Sequence, residues 1–101
     1  MTLTSSRERV FEQVRTTLVD ALSVSAEQVT PESRIILDLG AESIDLLDLR
    51  FRIEKAFQIR VTRDDLVAVC GIPITAADYQ QRFTVAVLCR YVEGRLERAN
   101  G

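Results

Sequence analysis

The side chains that could act as nucleophiles have no histidine to assist them. Ser43 opens a strongly apolar segment shortly after Gly40, and Cys70 and Cys89 lie further along the chain. Because the sequence contains no histidine, it lacks the usual general base for a serine or cysteine nucleophile. The two cysteines form no Cys-x-x-Cys pair, so we expect both to pack as small apolar groups. The sequence predicts neither a hydrolytic site nor a metal site.

The segment around Ser43 carries the most specific pattern in the chain. Residues 38–45 read Asp-Leu-Gly-Ala-Glu-Ser-Ile-Asp. This pattern resembles the prosthetic-group site of acyl carrier proteins, in which Asp-Leu-Gly-Ala-Asp-Ser-Leu-Asp marks a serine esterified to 4′-phosphopantetheine; six of the eight positions match. The resemblance implies that Ser43 bears a covalent 4′-phosphopantetheine arm. It also places three neighbours in the cofactor-binding site, namely Gly40, Glu42 and Asp45.

The start of a helix suits a phosphate group on physical grounds. A serine there faces unpaired backbone amides and the positive end of the macrodipole, so a phosphodiester gains about 0.3 to 1 kcal/mol. Gly40 permits a backbone turn that a Cβ would obstruct, and we interpret it as a hinge. Two alternatives stay open. Ser43 can serve as a simple N-cap without any prosthetic group, and Glu42 and Asp45 can serve only to complement the helix N-terminus.

The helix after Ser43 corresponds to the surface through which acyl carrier proteins contact their partners. The resemblance implies a partner-binding role for the acids Asp45 and Asp48. It implies the same role for Leu47 and Phe51, which lie one and two turns after the serine. Packing in the core is the alternative for this apolar pair.

The second half of this helix becomes basic. Arg50, Arg52 and Lys55 outnumber Glu54 there. These cations can complement the negative end of the helix dipole, or they can select a partner that bears acidic groups. Arg52 is therefore included among the predicted partner-binding residues.

The elements that position Ser43 begin with two helices and a long connection. The first helix starts after Ser5 and runs to about Leu22, with an apolar residue at every fourth position. The second begins at or just before Ser43 and ends near Phe57. Residues 23–42 show no helical period, but their apolar side chains can pin the connection across the core, namely Val24, Val29, Ile35, Ile36, Leu37 and Leu39.

Two further helices are predicted in the second half of the chain. Thr62 begins a short third helix that Gly71 can close. Thr84 caps the last helix. The sequence does not fix where this helix ends, because Gly94 lowers the stability of a helix by about 1 kcal/mol relative to alanine. The sequence thus predicts an all-α four-helix bundle of acyl-carrier type, with a long first loop and a short third helix, as a single domain over residues 1–101.

The segment of residues 72–83 is longer than the usual connection before the last helix of acyl carriers. It contains Pro73 and shows no clear period. One interpretation is a partner-specific contact around Tyr79 and Arg82. A surface loop that only connects two helices is the other.

Bulk properties exclude several functional classes. The formal net charge is −2, without the clustered basic excess of a nucleic-acid binder. The chain is 47% hydrophobic, yet it has no apolar run near the ~20 residues that span a membrane. The first residues lack the apolar core of a signal peptide, so we expect a cytoplasmic location. We expect a monomer, because a carrier that must dock with several enzymes is best served by that state.

The predicted function is that of a carrier without catalytic activity. The resemblance implies that a phosphopantetheinyl transferase loads Ser43 and that the arm holds acyl groups as thioesters for acyl-transferring, condensing or acyl-activating enzymes. Fatty-acid, polyketide and related secondary pathways all stay open. One alternative is a peptidyl carrier, although Ala41 departs from the Gly-Gly that those domains usually show. The other is a carrier-like interaction module that is not modified.

Overall fold

The computed structural model describes residues 6–62 and 78–100. Its helices are α1 (Ser6–Leu22), α2 (Ser43–Phe57), α3 (Tyr79–Arg82) and α4 (Val85–Asn100), with a 3-10 turn at Ala26–Gln28. These two ranges contain no strand, and their one β-type contact is an isolated antiparallel bridge between Arg34 and Thr84. The predicted all-α fold class is confirmed. No helix in these ranges combines the length and apolarity needed to cross a bilayer.

Helix α2 begins and ends where the sequence predicts, and α1 ends at the predicted residue; the predicted cap at Ser5 lies outside the described residues. Along α1, Val10, Val14 and Leu18 recur every fourth position and are buried, because this spacing keeps them on one face. Helix α1 packs against both α2 and α4. Gln58 is the C-cap of α2: its φ of 54° is left-handed, and its N–H donates to the Glu54 carbonyl.

Helix α4 begins as predicted and extends beyond its glycine. The Val87 N–H donates to Thr84 Oγ1 at 3.3 Å, which is the expected N-cap bond. The helix continues through Gly94 to Asn100, so Gly94 does not end it. The predicted third helix between Thr62 and Gly71 lies outside the described residues except for Thr62.

The one-turn helix α3 corrects the interpretation of Tyr79. Tyr79 and Phe83 are both fully buried, and their ring centroids lie 5.3 Å apart. The two rings share an inward face because they are one helical turn apart. The predicted partner contact around Tyr79 is therefore wrong for that residue, and so is the view that this part of the segment only connects two helices. Arg82 is exposed.

The connection between α1 and α2 is fixed against the start of α4. The Ile35 N–H donates to the Phe83 carbonyl at 2.9 Å, and the Val85 N–H donates to the Ser33 carbonyl at 2.9 Å. Val29, Ile35 and Leu39 are buried, so the predicted apolar anchoring is confirmed for them. It is wrong for Leu37, which is exposed because the side chains of this turn cannot all point inward.

Candidate functional site

A tight turn brings the chain into α2. Gly40 has φ +77°, in the left-handed region that side chains other than glycine adopt only with strain. Its N–H donates to the Ile36 carbonyl at 3.1 Å, and the Ala41 N–H donates to the Ile35 carbonyl at 3.2 Å. A Cβ built on Gly40 would meet no atom of the described residues within 4 Å. Backbone conformation, rather than space, is what requires glycine here.

Asp38 is held in place by Arg34. The guanidinium donates from Nε to Asp38 Oδ2 at 3.0 Å and from Nη2 to Oδ1 at 2.9 Å, and the Arg34 backbone N–H donates to Oδ2 at 2.7 Å. Arg34 Nη1 also donates to Gln81 Oε1 at 3.1 Å. The side-chain hydrogen bond from Arg34 is the main cause that lowers the pKa of Asp38, and the same bond raises the pKa of Arg34. We call the residues Arg34, Asp38 and Gln81 the turn clamp.

Glu42, rather than Ser43, is the N-cap of α2. Its backbone is extended, with φ −103° and ψ 175°, and its carbonyl accepts the Leu46 N–H at 3.0 Å. The Glu42 N–H donates to Asp45 Oδ2 at 2.9 Å, so Asp45 caps the turn from within the helix. The N-cap interpretation of Ser43 is therefore wrong, because the residue before it takes that position.

Ser43 is the first residue of α2 and is exposed. Within the described part of the chain its hydroxyl makes no hydrogen bond. It lies where the first N–H groups of the helix lack intrahelical acceptors and the macrodipole is positive. A bulky donor can reach this hydroxyl from solvent, and a phosphate joined to it would lie at the favourable end of the dipole.

The face of α2 next to Ser43 is apolar and open. Ile44, Leu47 and Phe51 are 72%, 49% and 52% exposed, and Leu37 in the preceding turn is 43% exposed. We call these four residues the outer face. Packing in the core is thus wrong as the explanation for Leu47 and Phe51.

The core positions of α2 are taken by other residues, namely Leu46, Leu49 and Ile53, which are buried. The sequence of this helix contains more apolar residues than these core positions use. It did not single out Leu37 or Ile44 as exposed. The signal that could have found Ile44 is its spacing of three and seven residues from Leu47 and Phe51.

The charged residues of α2 form local contacts. Arg52 Nε donates to Asp48 Oδ2 at 2.7 Å. The guanidinium carbon of Arg50 lies 4.9 Å from the centroid of the Phe51 ring. Cations therefore border the aromatic residue of the outer face.

Cys89 belongs to the hydrophobic core of the described residues. Cys89 is free and buried, and burial followed by the nearby Glu93 raises the pKa of its thiol to about 12. The thiol stays protonated at neutral pH, so its predicted packing as a small apolar group is confirmed. Cys70 lies outside the described residues. Residues 6–62 and 78–100 contain no cluster of three or more His, Cys, Asp or Glu residues able to hold a metal ion.

Comparison with known proteins finds similarity along most of the chain. A family model described as phosphopantetheine attachment site matches residues 12–71. The acyl carrier protein of Thermotoga maritima is 36% identical over 92 residues, which cover 91% of this chain and 98% of that protein. The acyl carrier protein of Nitratidesulfovibrio vulgaris (strain DP4) is 39% identical over 70 residues, covering 69% of this chain and 91% of that protein. The matched range of the family model includes Ser43 and two residues of the turn clamp, Arg34 and Asp38.

Proposed function

This chain belongs to the acyl carrier protein family, and from that premise we propose that it carries acyl intermediates on a 4′-phosphopantetheine arm attached to Ser43. Membership in the family implies the covalent 4′-phosphopantetheine itself and a role as carrier rather than catalyst. The observation that supports Ser43 as the attachment point is its exposed position at the start of α2. When bound, the arm supplies the thiol that holds acyl groups as thioesters, so neither cysteine of the chain is needed for loading.

The residues around Ser43 fit a phosphate-linked group. The hydroxyl is exposed, the helix N-terminus favours negative charge, and Gly40 turns the chain without adding a side chain beside the site. Glu42 and Asp45 set the start of the helix and so the direction in which Ser43 points. Gly40, Glu42 and Asp45 belong to the proposed cofactor site as positioning residues.

Loading exchanges one phosphate bond for another. The Ser43 oxygen loses its proton and forms a bond to the phosphorus that bears the pantetheine arm of coenzyme A. The pyrophosphate bond of coenzyme A breaks, and adenosine 3′,5′-bisphosphate leaves. The chain has no histidine to accept the serine proton, and the nearby Asp45 carboxylate already accepts the Glu42 N–H, so we expect the phosphopantetheinyl transferase to supply the base.

Partner enzymes dock beside the arm in this proposal. Acyl carrier proteins interact with biosynthetic enzymes, and this chain presents an exposed apolar face next to Ser43. We assign partner binding to five residues of α2, namely Asp45, Leu47, Asp48, Phe51 and Arg52. Exposed apolar side chains in one patch support an interaction surface because water does not favour them.

The pathway served by this carrier is fatty-acid, polyketide or related secondary biosynthesis. The relatives are named acyl carrier proteins, which favours the acyl over the peptidyl type. The alternative of an unmodified interaction module predicts binding without any change in mass at Ser43. The following experiment separates a modified carrier from the unmodified interaction module.

The test is intact-mass measurement after incubation with coenzyme A and a panel of phosphopantetheinyl transferases. The wild-type chain should gain the mass of one phosphopantetheinyl group, and Ser43→Ala should gain none. Ser25→Ala is the matched control, because Ser25 is also exposed but lies in the first connection, and it should gain mass like the wild type. An unchanged wild-type mass with every transferase, or a gain that survives Ser43→Ala, contradicts the proposal.

A further inference from the structure

The second half of α2 surrounds one exposed ring with cations. Phe51 lies half in solvent, and the Arg50 guanidinium lies 4.9 Å from its ring centroid. Arg52 is the next residue, and Lys55 lies one turn after Phe51; both are exposed. We call Arg50, Phe51, Arg52 and Lys55 the cationic end of α2.

The helix dipole accounts for only one of these cations. Its effect on side-chain charges falls off within the last turn of a helix. Lys55 lies in the last turn of α2, but Arg50 and Arg52 lie before it. Two of the three cations therefore have no explanation in the dipole.

The acids of α2 already have partners within the helix or beside it. Asp45 accepts the Glu42 N–H, Asp48 pairs with Arg52, and Glu54 Oε2 accepts the Val61 N–H at 2.7 Å. Lys55, by contrast, has no ion pair within the described part of the chain. Asp48 pairs with Arg52, so Lys55 and Arg50 are the cations of this end that have no ion pair with another described residue.

Arg50 adds a second sign that the surface is incomplete. Its Nε is buried and has no hydrogen-bond acceptor among the described residues. A buried donor without an acceptor is unfavourable, so a change of the Arg50 side-chain conformation that brings its guanidinium to an acceptor at the surface would be stabilising. Carboxylates are the acceptors that guanidinium groups bind most strongly.

We propose that the cationic end of α2 docks a partner enzyme whose surface presents carboxylates around an apolar pocket for Phe51. This inference rests on the proposed function, because it names the kind of partner that the carrier meets. The Ser43 end of α2 carries acids, namely Glu42, Asp45 and Asp48. The charge pattern thus fixes the direction of docking: the partner is basic towards Ser43 and acidic towards Lys55.

The test uses two synthetic amphipathic helical peptides with the same leucine face, one flanked by Glu and the other by Lys. Binding to the full-length chain is followed by backbone amide chemical shifts. At the cationic end, followed by the amides of Phe51 and Lys55, the Glu peptide should bind about 3-fold more tightly than the Lys peptide and lose this advantage at high salt. Lys55→Glu should reverse the preference, and Phe51→Ala should weaken the binding of both peptides.

Arg9→Glu is the matched control, since Arg9 is an exposed cation on α1, and it should keep the wild-type preference. Circular dichroism establishes that each variant is folded. The inference is overturned if the Lys peptide binds the wild type as tightly as the Glu peptide, or if Lys55→Glu and Arg9→Glu behave alike. Peptide binding does not require the arm, so an absent mass gain at Ser43 rejects the proposed function without deciding this result.

Discussion

The two sides of α2 use the same kinds of residue for opposite purposes. The inner side places Leu46, Leu49 and Ile53 in the core, and the outer face leaves Ile44 and Leu47 in solvent. Burial rewards the first set on folding, whereas the second set gains nothing until another molecule covers it. The difference shows that the direction of each side chain decides whether an apolar residue of this helix contributes to the core or stays exposed and available for the proposed partner contact.

The largest expected effect comes from making the same substitution on each side of α2 and comparing the free energies of unfolding. Leu49→Ala should lower the free energy of unfolding by about 2 to 5 kcal/mol, because it removes buried methyl groups and leaves a cavity. Leu47→Ala should change it by about 0.5 kcal/mol or less, since Leu47 is half exposed. Urea denaturation followed by circular dichroism gives both values. Equal losses in the two variants would mean that the outer face is part of the core.

A second experiment tests the turn that decides which side of α2 faces outwards. Gly40→Ala should destabilise the fold by about 1 kcal/mol, because alanine is strained at φ +77°. Gly94→Ala is the matched control within α4, where alanine should instead stabilise the fold by about 0.5 to 1 kcal/mol. Thermal denaturation shows the sign of each change. A Gly40→Ala protein as stable as the wild type would contradict the left-handed turn.

The smallest effect concerns the turn clamp and its response to pH. The pKa of Asp38 is lowered from 3.8 in the folded protein, so its stabilising contribution is complete above that value. It is lost as the pH falls through the folded pKa, where the carboxylate becomes protonated and Arg34 loses its partner. Unfolding free energies measured between pH 5 and about 2 should therefore fall less steeply in Asp38→Asn than in the wild type.

Asp20→Asn provides the comparison for this pH series, because Asp20 is an exposed acid on α1 outside the clamp. Its pH profile should follow that of the wild type. Raising the salt concentration should shrink the difference between Asp38→Asn and the wild type, since exposed ion pairs are screened. A wild-type profile in Asp38→Asn would show that Arg34 contributes nothing through this carboxylate.

Local patterns in the sequence were enough to predict the regular helices. The four-residue spacing of Val10, Val14 and Leu18 predicted α1, and Thr84 predicted the start of α4. The residues around Ser43 indicated the family because they lie together in the chain. Their roles as attachment and partner-binding residues remain predictions until the experiments above are done.

Contacts between segments that lie far apart in the sequence could not be predicted from such local patterns. The segment around Tyr79 was interpreted as a partner contact or as a connecting loop, yet one turn of helix is enough to bury Tyr79 with Phe83. The spacing of Arg34 and Asp38 allows an ion pair to be guessed, but nothing in it indicates Gln81 as the third member. The N-cap position of Glu42 was missed because serine is the commoner residue at helix starts.

The bridge between Arg34 and Thr84 joins two segments that are synthesised at different times. The backbone before Ser43 is bound to Phe83 and Val85, which leave the ribosome much later than the serine does. A nascent chain that has just exposed Ser43 still lacks Phe83 and Val85, the residues that hydrogen-bond to the segment before the serine. The segment before Ser43 therefore acquires these hydrogen bonds only after residues 83–85 have been synthesised.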